Sequence, residues 1–165
     1  MPEFAATAAA TLNLCRLYNA PIARVFDAWT RPEVLASWFG PDGYTVITSE
    51  LDLRVGGAYL IALRSPDGAV IRHFGEYVAI CAPESLVFTW VLDNQDCQGS
   101  ADQCADTLVS IDLVAVGEST QLRLTHERLP SKAALDGHQF GWVSSLECLD
   151  RVLKQNSLPG ALMNP

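Results

Sequence analysis

Positive charge is scarce in this sequence. Its 165 residues hold 11 lysines and arginines against 19 aspartates and glutamates, a formal net charge of −8. A nucleic-acid surface or a polybasic membrane patch needs positive potential, so neither is expected. Long apolar runs are also lacking. None approaches the roughly 18 to 20 residues of a bilayer span, and no membrane span is expected. The start, MPEFAATAAATL, has an acid where a secretory leader carries a base. It reads as a flexible tail over residues 1–10, not as a signal peptide. There is no phosphate-cradling glycine loop and no internal repeat. No serine–histidine–acid or cysteine–histidine constellation follows from the spacing. His73, His126 and His138 lack metal-ligand spacing. No metal and no other cofactor is expected.

The five cysteines are an odd number. Cys15, Cys81 and Cys148 sit in apolar or periodic segments and read as small core residues. Cys97 and Cys104 flank the polar loop DNQDCQGSADQCAD. A cytoplasmic location is expected, and it favours free thiols there. A disulfide and a weak metal site are the alternatives.

What the sequence has is pattern. TLNLCRLYNA alternates apolar and polar residues like a half-buried strand. Pro21 suits the first turn of a helix, with Asn19 or Ala20 as its cap. Ile22, Val25, Phe26 and Trp29 then fall on one helical face. Thr30 is positioned to cap a second short helix carrying Val34, Leu35, Trp38 and Phe39. Six further strand-like runs follow, separated by turn clusters such as SPDG and GES. From about Ala133 to Lys154 the period becomes helical, with Ser131 as cap and SLPG as stop. That helix is about 30 Å long. It can cross most of a seven-stranded sheet but cannot alone fill the concave side, which leaves a hollow. Trp29, Trp38 and Phe39 then read as a plug at one end.

The segments VFDAWTRPEVLASWFGP, DLRVGGAY, GEYVAICAPESLVFTW, LTHERL and HQFGWVSSLECLDRVL occur in this order. They resemble the motifs of the SRPBCC superfamily, also called START-like or birch-pollen-allergen-like. Within it they resemble the branch named after the activator of the heat-shock-protein-90 ATPase. The resemblance spans roughly Thr11 to Lys154. It implies an α+β helix-grip fold over residues 11–156, with residues 157–165 as a C-terminal tail. A seven-stranded curved antiparallel sheet surrounds a long C-terminal helix, with two short helices after the first strand. It also implies a ligand cavity between sheet and helix. Members of the superfamily bind lipids, polyketides or flavonoid-like molecules; some are cyclases or aromatases, and a few act on chaperones. The cysteine-bearing insertion between Trp90 and Thr107 departs from the pattern.

Strand alternation sorts the faces. Leu86, Phe88 and Trp90 share one, as do Tyr59, Ile61 and Leu63, and Leu122, Leu124 and His126. The strand containing GEY has two registers. A five-residue loop after Ile80 sets Ile80 opposite Leu86 and turns Phe74, Glu76 and Val78 inward. A four-residue loop turns His73 and Tyr77 inward instead. The first is preferred because it buries Phe74, Val78 and Ile80 together. Glu76 is then either a carboxylate with raised pKa in an apolar hollow or a rim residue paired with an arginine. His126 is either a ligand contact or a buried neutral histidine. His138 is placed on or near an exposed helix face. Asp52 and Arg54 read as an ion pair beside the Gly56–Gly57 turn. Gly141, inside a helix, implies close approach to the sheet or room for a ligand.

The expected function is non-catalytic binding of a small, largely apolar molecule: aromatic, lipid or polyketide-like. The expected ligand-binding residues are Trp38, Phe39, Tyr59, Ile61, Phe74, Glu76, Phe88, Trp90, Leu124, His126, Trp142 and Leu146. One alternative is a cyclase- or hydrolase-like enzyme using Glu76 or His126 as general acid–base. The other is a chaperone ATPase-stimulating interaction module. A homodimer is left open.

Overall fold

Alternating apolar side chains need a surface to bury against, and seven strands supply it. The computed structural model describes residues 10–93 and 107–156. The strands are β1 (Ala10–Tyr18), β2 (Thr45–Leu51), β3 (Ala58–Arg64), β4 (Val70–Cys81), β5 (Ser85–Asp93), β6 (Thr107–Val116) and β7 (Ser119–Leu129). They form one sheet in the order β1-β7-β6-β5-β4-β3-β2, with every pair antiparallel. Sequential hairpins build β2 to β7, and β1 then adds beside β7. The two ends of the β1–β2 connection therefore lie on opposite edges of the sheet. That is six strand spacings, about 29 Å on a flat sheet. The connection crosses the inner face as α1 (Ile22–Thr30) and α2 (Pro32–Leu35).

These two helices bury Val25, Phe26, Ala28, Trp29 and Leu35. Trp38 and Phe39 follow in the next turn and are buried too. The expected side-chain caps are absent. Pro21 itself holds the N-cap position of α1, and Arg31 that of α2, neither with a side-chain cap bond. Thr30 instead donates its hydroxyl to the Phe26 carbonyl one turn back. Proline near the start of each segment presets φ and removes an otherwise orphaned N–H, which lessens the need for a cap.

The last element is α3 (Lys132–Asn156), 25 residues and about 37 Å long. Ser131 caps it as expected, accepting from the Ala134 N–H at 3.1 Å. The helix leans on β1, β7 and α1. Leu146, Leu149 and Leu153 are buried along it. Tyr18 of β1 donates its hydroxyl to the Leu146 carbonyl at 3.0 Å. No helix among the described residues is long and apolar enough to cross a membrane.

The inner-face groups on β3, β5 and β7 are buried as expected, and Val109, Ile111 and Leu113 of β6 are buried with them. Strand β4 is not as expected. Ile80 does pair with Leu86. Even so, His73 and Tyr77 are buried while Phe74 and Val78 are 37% and 47% exposed. Glu76 is exposed as well. A β-bulge reconciles these facts. Tyr77 pairs with Phe88 and Ala79 with Val87, so Val78 is an extra residue without a partner. One extra residue inverts the alternation on one side of it. The hairpin register was inferred correctly, but its parity does not reach Glu76. Phe74 lies on the outer face opposite Leu60 and Val91.

Cys15 and Cys81 are exposed and not core; Cys148 is half-buried. Cys97, Cys104 and the expected tails 1–10 and 157–165 lie outside the described residues, except Ala10, which begins β1 and pairs with Leu129. The Asp52–Arg54 pair forms at 3.0 Å beside the glycine turn. There Gly56 has φ +86°, and a Cβ on Gly57 would lie 2.1 Å from the Asp52 carbonyl oxygen.

Candidate functional site

Three tryptophans and three histidines meet where α3 passes over β4, β5 and β7. Trp90 of β5 is the hub. Its ring centroid lies 4.8 Å from His73, 4.9 Å from Trp142, 5.7 Å from His126 and 6.0 Å from Phe39. Trp29 joins through Trp142 at 5.9 Å. An indole N–H can only donate, and this fixes the tautomers. Trp142 donates Nε1–H to His126 Nδ1 at 3.1 Å. His126 therefore carries its proton on Nε2, which lies 2.7 Å from the Thr107 hydroxyl. That hydroxyl in turn donates to the Trp90 carbonyl at 2.9 Å. Trp90 donates Nε1–H to His138 Nε2 at 3.2 Å, so His138 donates Nδ1–H to the Ala134 carbonyl at 2.8 Å.

All three histidines are held neutral. His126 has no exposed surface. Burial, with some repulsion from His138, pushes its pKa down to about 3. Burial pushes His73 down to about 4, against a weaker opposite pull from the Ile61 backbone. Burial also lowers His138, partly opposed by its bond to Ala134. His138 thus turns into the cluster and away from the exposed face where its position in the helix pattern had placed it. Although His126 and His138 lie 4.7 Å apart, no group of three or more metal-binding side chains forms among the described residues. Both His138 nitrogens and both His126 nitrogens are already bonded.

Beside this cluster lies a cleft of about 450 Å³. Its sheet wall comprises Leu63, Ile71, His73, Trp90 and Leu92. Phe39, Gly40, Pro41 and Tyr44, from the segment after α2, close one side. That segment is tied to α3 by the Asp42 N–H to Ser144 Oγ bond at 2.8 Å. The helix wall is Ala134, Gly137, His138, Gly141 and Ser145, with Trp142 beside them. Those five positions fall at 0, +3, +4, +7 and +11, one stripe of the helix. Phe140, 74% exposed, stands at the rim. Among the described residues, none lining the cleft is an Asp, Glu, Lys or Arg.

Two helical glycines on that stripe each cost about 1 kcal/mol of helix stability relative to alanine. A Cβ on either would meet nothing within 4 Å among the described residues. Close helix–sheet approach therefore does not explain them. What they preserve is open space.

Of the twelve expected ligand-binding residues, the structure brings Phe39, Trp90 and Trp142 to the cleft. Trp38, Tyr59, Ile61, Phe88, Leu124, His126 and Leu146 are in the packed core. Trp38 donates Nε1–H to the Ala28 carbonyl at 2.8 Å and packs on Trp29. Tyr59 donates its hydroxyl to the Thr89 carbonyl at 2.6 Å. The void that Tyr59, Ile61 and Phe88 border holds only about 10 Å³. Phe74 and Glu76 point away from the interior, for the reason of the bulge. Sequence reading missed Tyr44, Ile71, His73, Leu92, Gly137 and His138 as cleft residues. Two glycines four apart inside an amphipathic helix were the available signal.

A sheet wrapped on a long C-terminal helix, with two short helices between its first two strands, defines a helix-grip domain. The family profile described as activator of Hsp90 ATPase homolog 1-like protein matches residues 19–154, and the chain belongs to this family. Solved structures agree. The AHSA1 protein SPO3351 from Silicibacter pomeroyi is 25% identical, with a TM-score of 0.78 over 89% of this chain and 99% of that one. Protein CV1439 from Chromobacterium violaceum is 27% identical, with a TM-score of 0.76 over 88% and 98%. CalU16 from Micromonospora echinospora is 25% identical, with a TM-score of 0.67 over 93% and 80%. No curated protein matches the chain.

Proposed function

We propose that this chain is a binding domain that takes a small, uncharged, largely apolar molecule into the cleft between α3 and strands β3 to β5. The carrying observation is the pair Gly137 and Gly141. They hold a helical stripe open over an aromatic wall at a cost in helix stability, with no packing neighbour among the described residues to explain it. A cleft of about 450 Å³ is of the size that accepts a drug-sized ligand. Its apolar walls supply affinity, and burying a charge there without a counter-charge is costly.

The acid–base reading loses its groups. Glu76 lies outside, and His126 is sealed with both ring nitrogens engaged. The chaperone reading rests on the family description alone.

The test is a thermal-shift and calorimetric screen of neutral ring compounds, flavonoids and fatty alcohols against wild type and Gly141→Leu. Leucine at 141 places a side chain in the open cleft. At least one compound class raises the Tm of wild type, and the variant, still folded, loses the response. A panel without effect on wild type, or equal binding by the variant, refutes the proposal.

A further inference from the structure

We infer that His73 is the polar anchor of this cleft and selects a ring-bearing ligand through a neutral hydroxyl group. This rests on the binding function proposed above and specifies its ligand.

The cluster leaves one imidazole nitrogen, His73 Nδ1, without a partner. His126 and His138 each have both nitrogens engaged by Trp142, Thr107, Trp90 and Ala134. His73 lines the cleft, is only 8% exposed, and its Nδ1 is buried without a hydrogen-bond partner. The Ile61 backbone favours the protonated ring without closing a bond to Nδ1. An unsatisfied buried polar group is costly, and a guest that bonds to this ring removes the cost. The other such atom among the described residues is Trp29 Nε1, and Trp29 borders a void of only about 10 Å³, where no guest fits.

The chemistry of the guest follows from the wall. The His73 ring is wedged between Phe39, edge-on at 5.6 Å, and Trp90 at 4.8 Å. A neutral imidazole offers one N–H and one lone pair. A hydroxyl both donates and accepts, so it satisfies whichever nitrogen it meets. Among the described lining residues a carboxylate would find no lysine or arginine, and an ammonium no carboxylate. The flat faces of Phe39, Trp90 and Trp142 favour a planar ring beside that hydroxyl.

The experiment compares naphthalene, 2-naphthol and 2-naphthoate by NMR titration of wild type and His73→Leu at pH 7. In wild type, 2-naphthol binds about tenfold more tightly than naphthalene, the equivalent of one hydrogen bond to a buried partner, and 2-naphthoate binds most weakly. In His73→Leu the advantage of 2-naphthol disappears while naphthalene still binds. Independently of the variant's folding, the His73 ring ¹⁵N resonances of wild type shift with 2-naphthol and not with naphthalene. Equal affinity of wild type for naphthalene and 2-naphthol, or an advantage that survives in His73→Leu, overturns the anchor role and leaves the binding function standing. Binding of none of the three compounds overturns the anchor role, and the wider screen above then decides the binding function separately.

Discussion

Around Tyr59, Tyr77, Leu86 and Phe88 the inner face of the sheet meets α1 and α2 with about 10 Å³ to spare, whereas past Phe39 and Trp90 it meets α3 across about 450 Å³. Both regions are built from the same strands and share Phe39 and Trp90 as a partition. What differs is the opposing layer. The short helices contribute Trp29 and Leu35, large side chains that interlock with the strand rings. The facing stripe of α3 contributes alanine, glycine and serine around a single large side chain, His138. A helix lying across a sheet thus encloses space according to side-chain volume, and here that volume is withheld over two to three turns. The hollow region is nonetheless held firmly at its boundary. Trp90, Trp142, His126 and His138 are locked by oriented hydrogen bonds, so the cleft has one fixed wall.

Truncations should separate the two regions most sharply. Phe88 packs against Tyr59 at 5.5 Å and is 5% exposed. Phe88→Ala should cost about 3–5 kcal/mol, the usual range for a buried phenylalanine. Ile71 borders the open cleft and is only half-buried. Ile71→Ala should cost less than about half as much. Urea unfolding measures both. Similar losses would mean that the cleft closes in solution and that the two regions are packed alike.

Acid should act on the hollow side. Histidine ordinarily titrates near 6.5, while the folded protein holds His73 near 4 and His126 near 3 through burial. Below pH 6.5 the unfolded chain binds protons on these residues that the folded chain refuses. Stability is therefore complete above that pH and falls as pH falls. Each histidine contributes a slope of up to about 1.4 kcal/mol per pH unit, down to its folded pKa. Urea midpoints measured between pH 7 and 4.5 should decline steadily, and His73→Leu should flatten the decline. A level profile from 6.5 to 5 would show that water reaches these rings.

The strand and helix pattern was legible because it repeats along the chain: period two through β1 to β7, period 3.6 in α3. The two-helix crossing was equally plain in the apolar spacing from Ile22 to Phe39. The bulge at Val78 was not. A bulge leaves composition unchanged and shifts only parity, so alternation read from a correctly placed hairpin put Glu76 and Phe74 on the wrong face. The cleft was half legible. An incomplete fit of helix to sheet was foreseeable, but its position is the remainder after all the other side chains have packed, and it fell beside His73 and Gly137 and not beside Tyr59 and Phe88. His138 was misplaced because helical periodicity ranks residues by hydrophobicity. The ring is held inward by two specific hydrogen bonds, to Trp90 and Ala134.

The smallest expected effect bears most directly on the comparison. At Gly75, in the packed region, a Cβ would lie 2.3 Å from the Thr89 carbonyl oxygen. At Gly141 it would meet nothing within 4 Å. Alanine there keeps the helix, removes the backbone freedom that glycine has in the unfolded chain, and projects one methyl group into the cleft. Gly141→Ala should therefore stabilise the protein by up to about 1 kcal/mol, which raises the Tm by about 2–4 °C in a chain of this size. A glycine-to-alanine change that stabilises identifies space that folding itself does not require. If the Tm falls instead, α3 sits down on Trp90 and Leu63 in solution, and the glycine is there to let it.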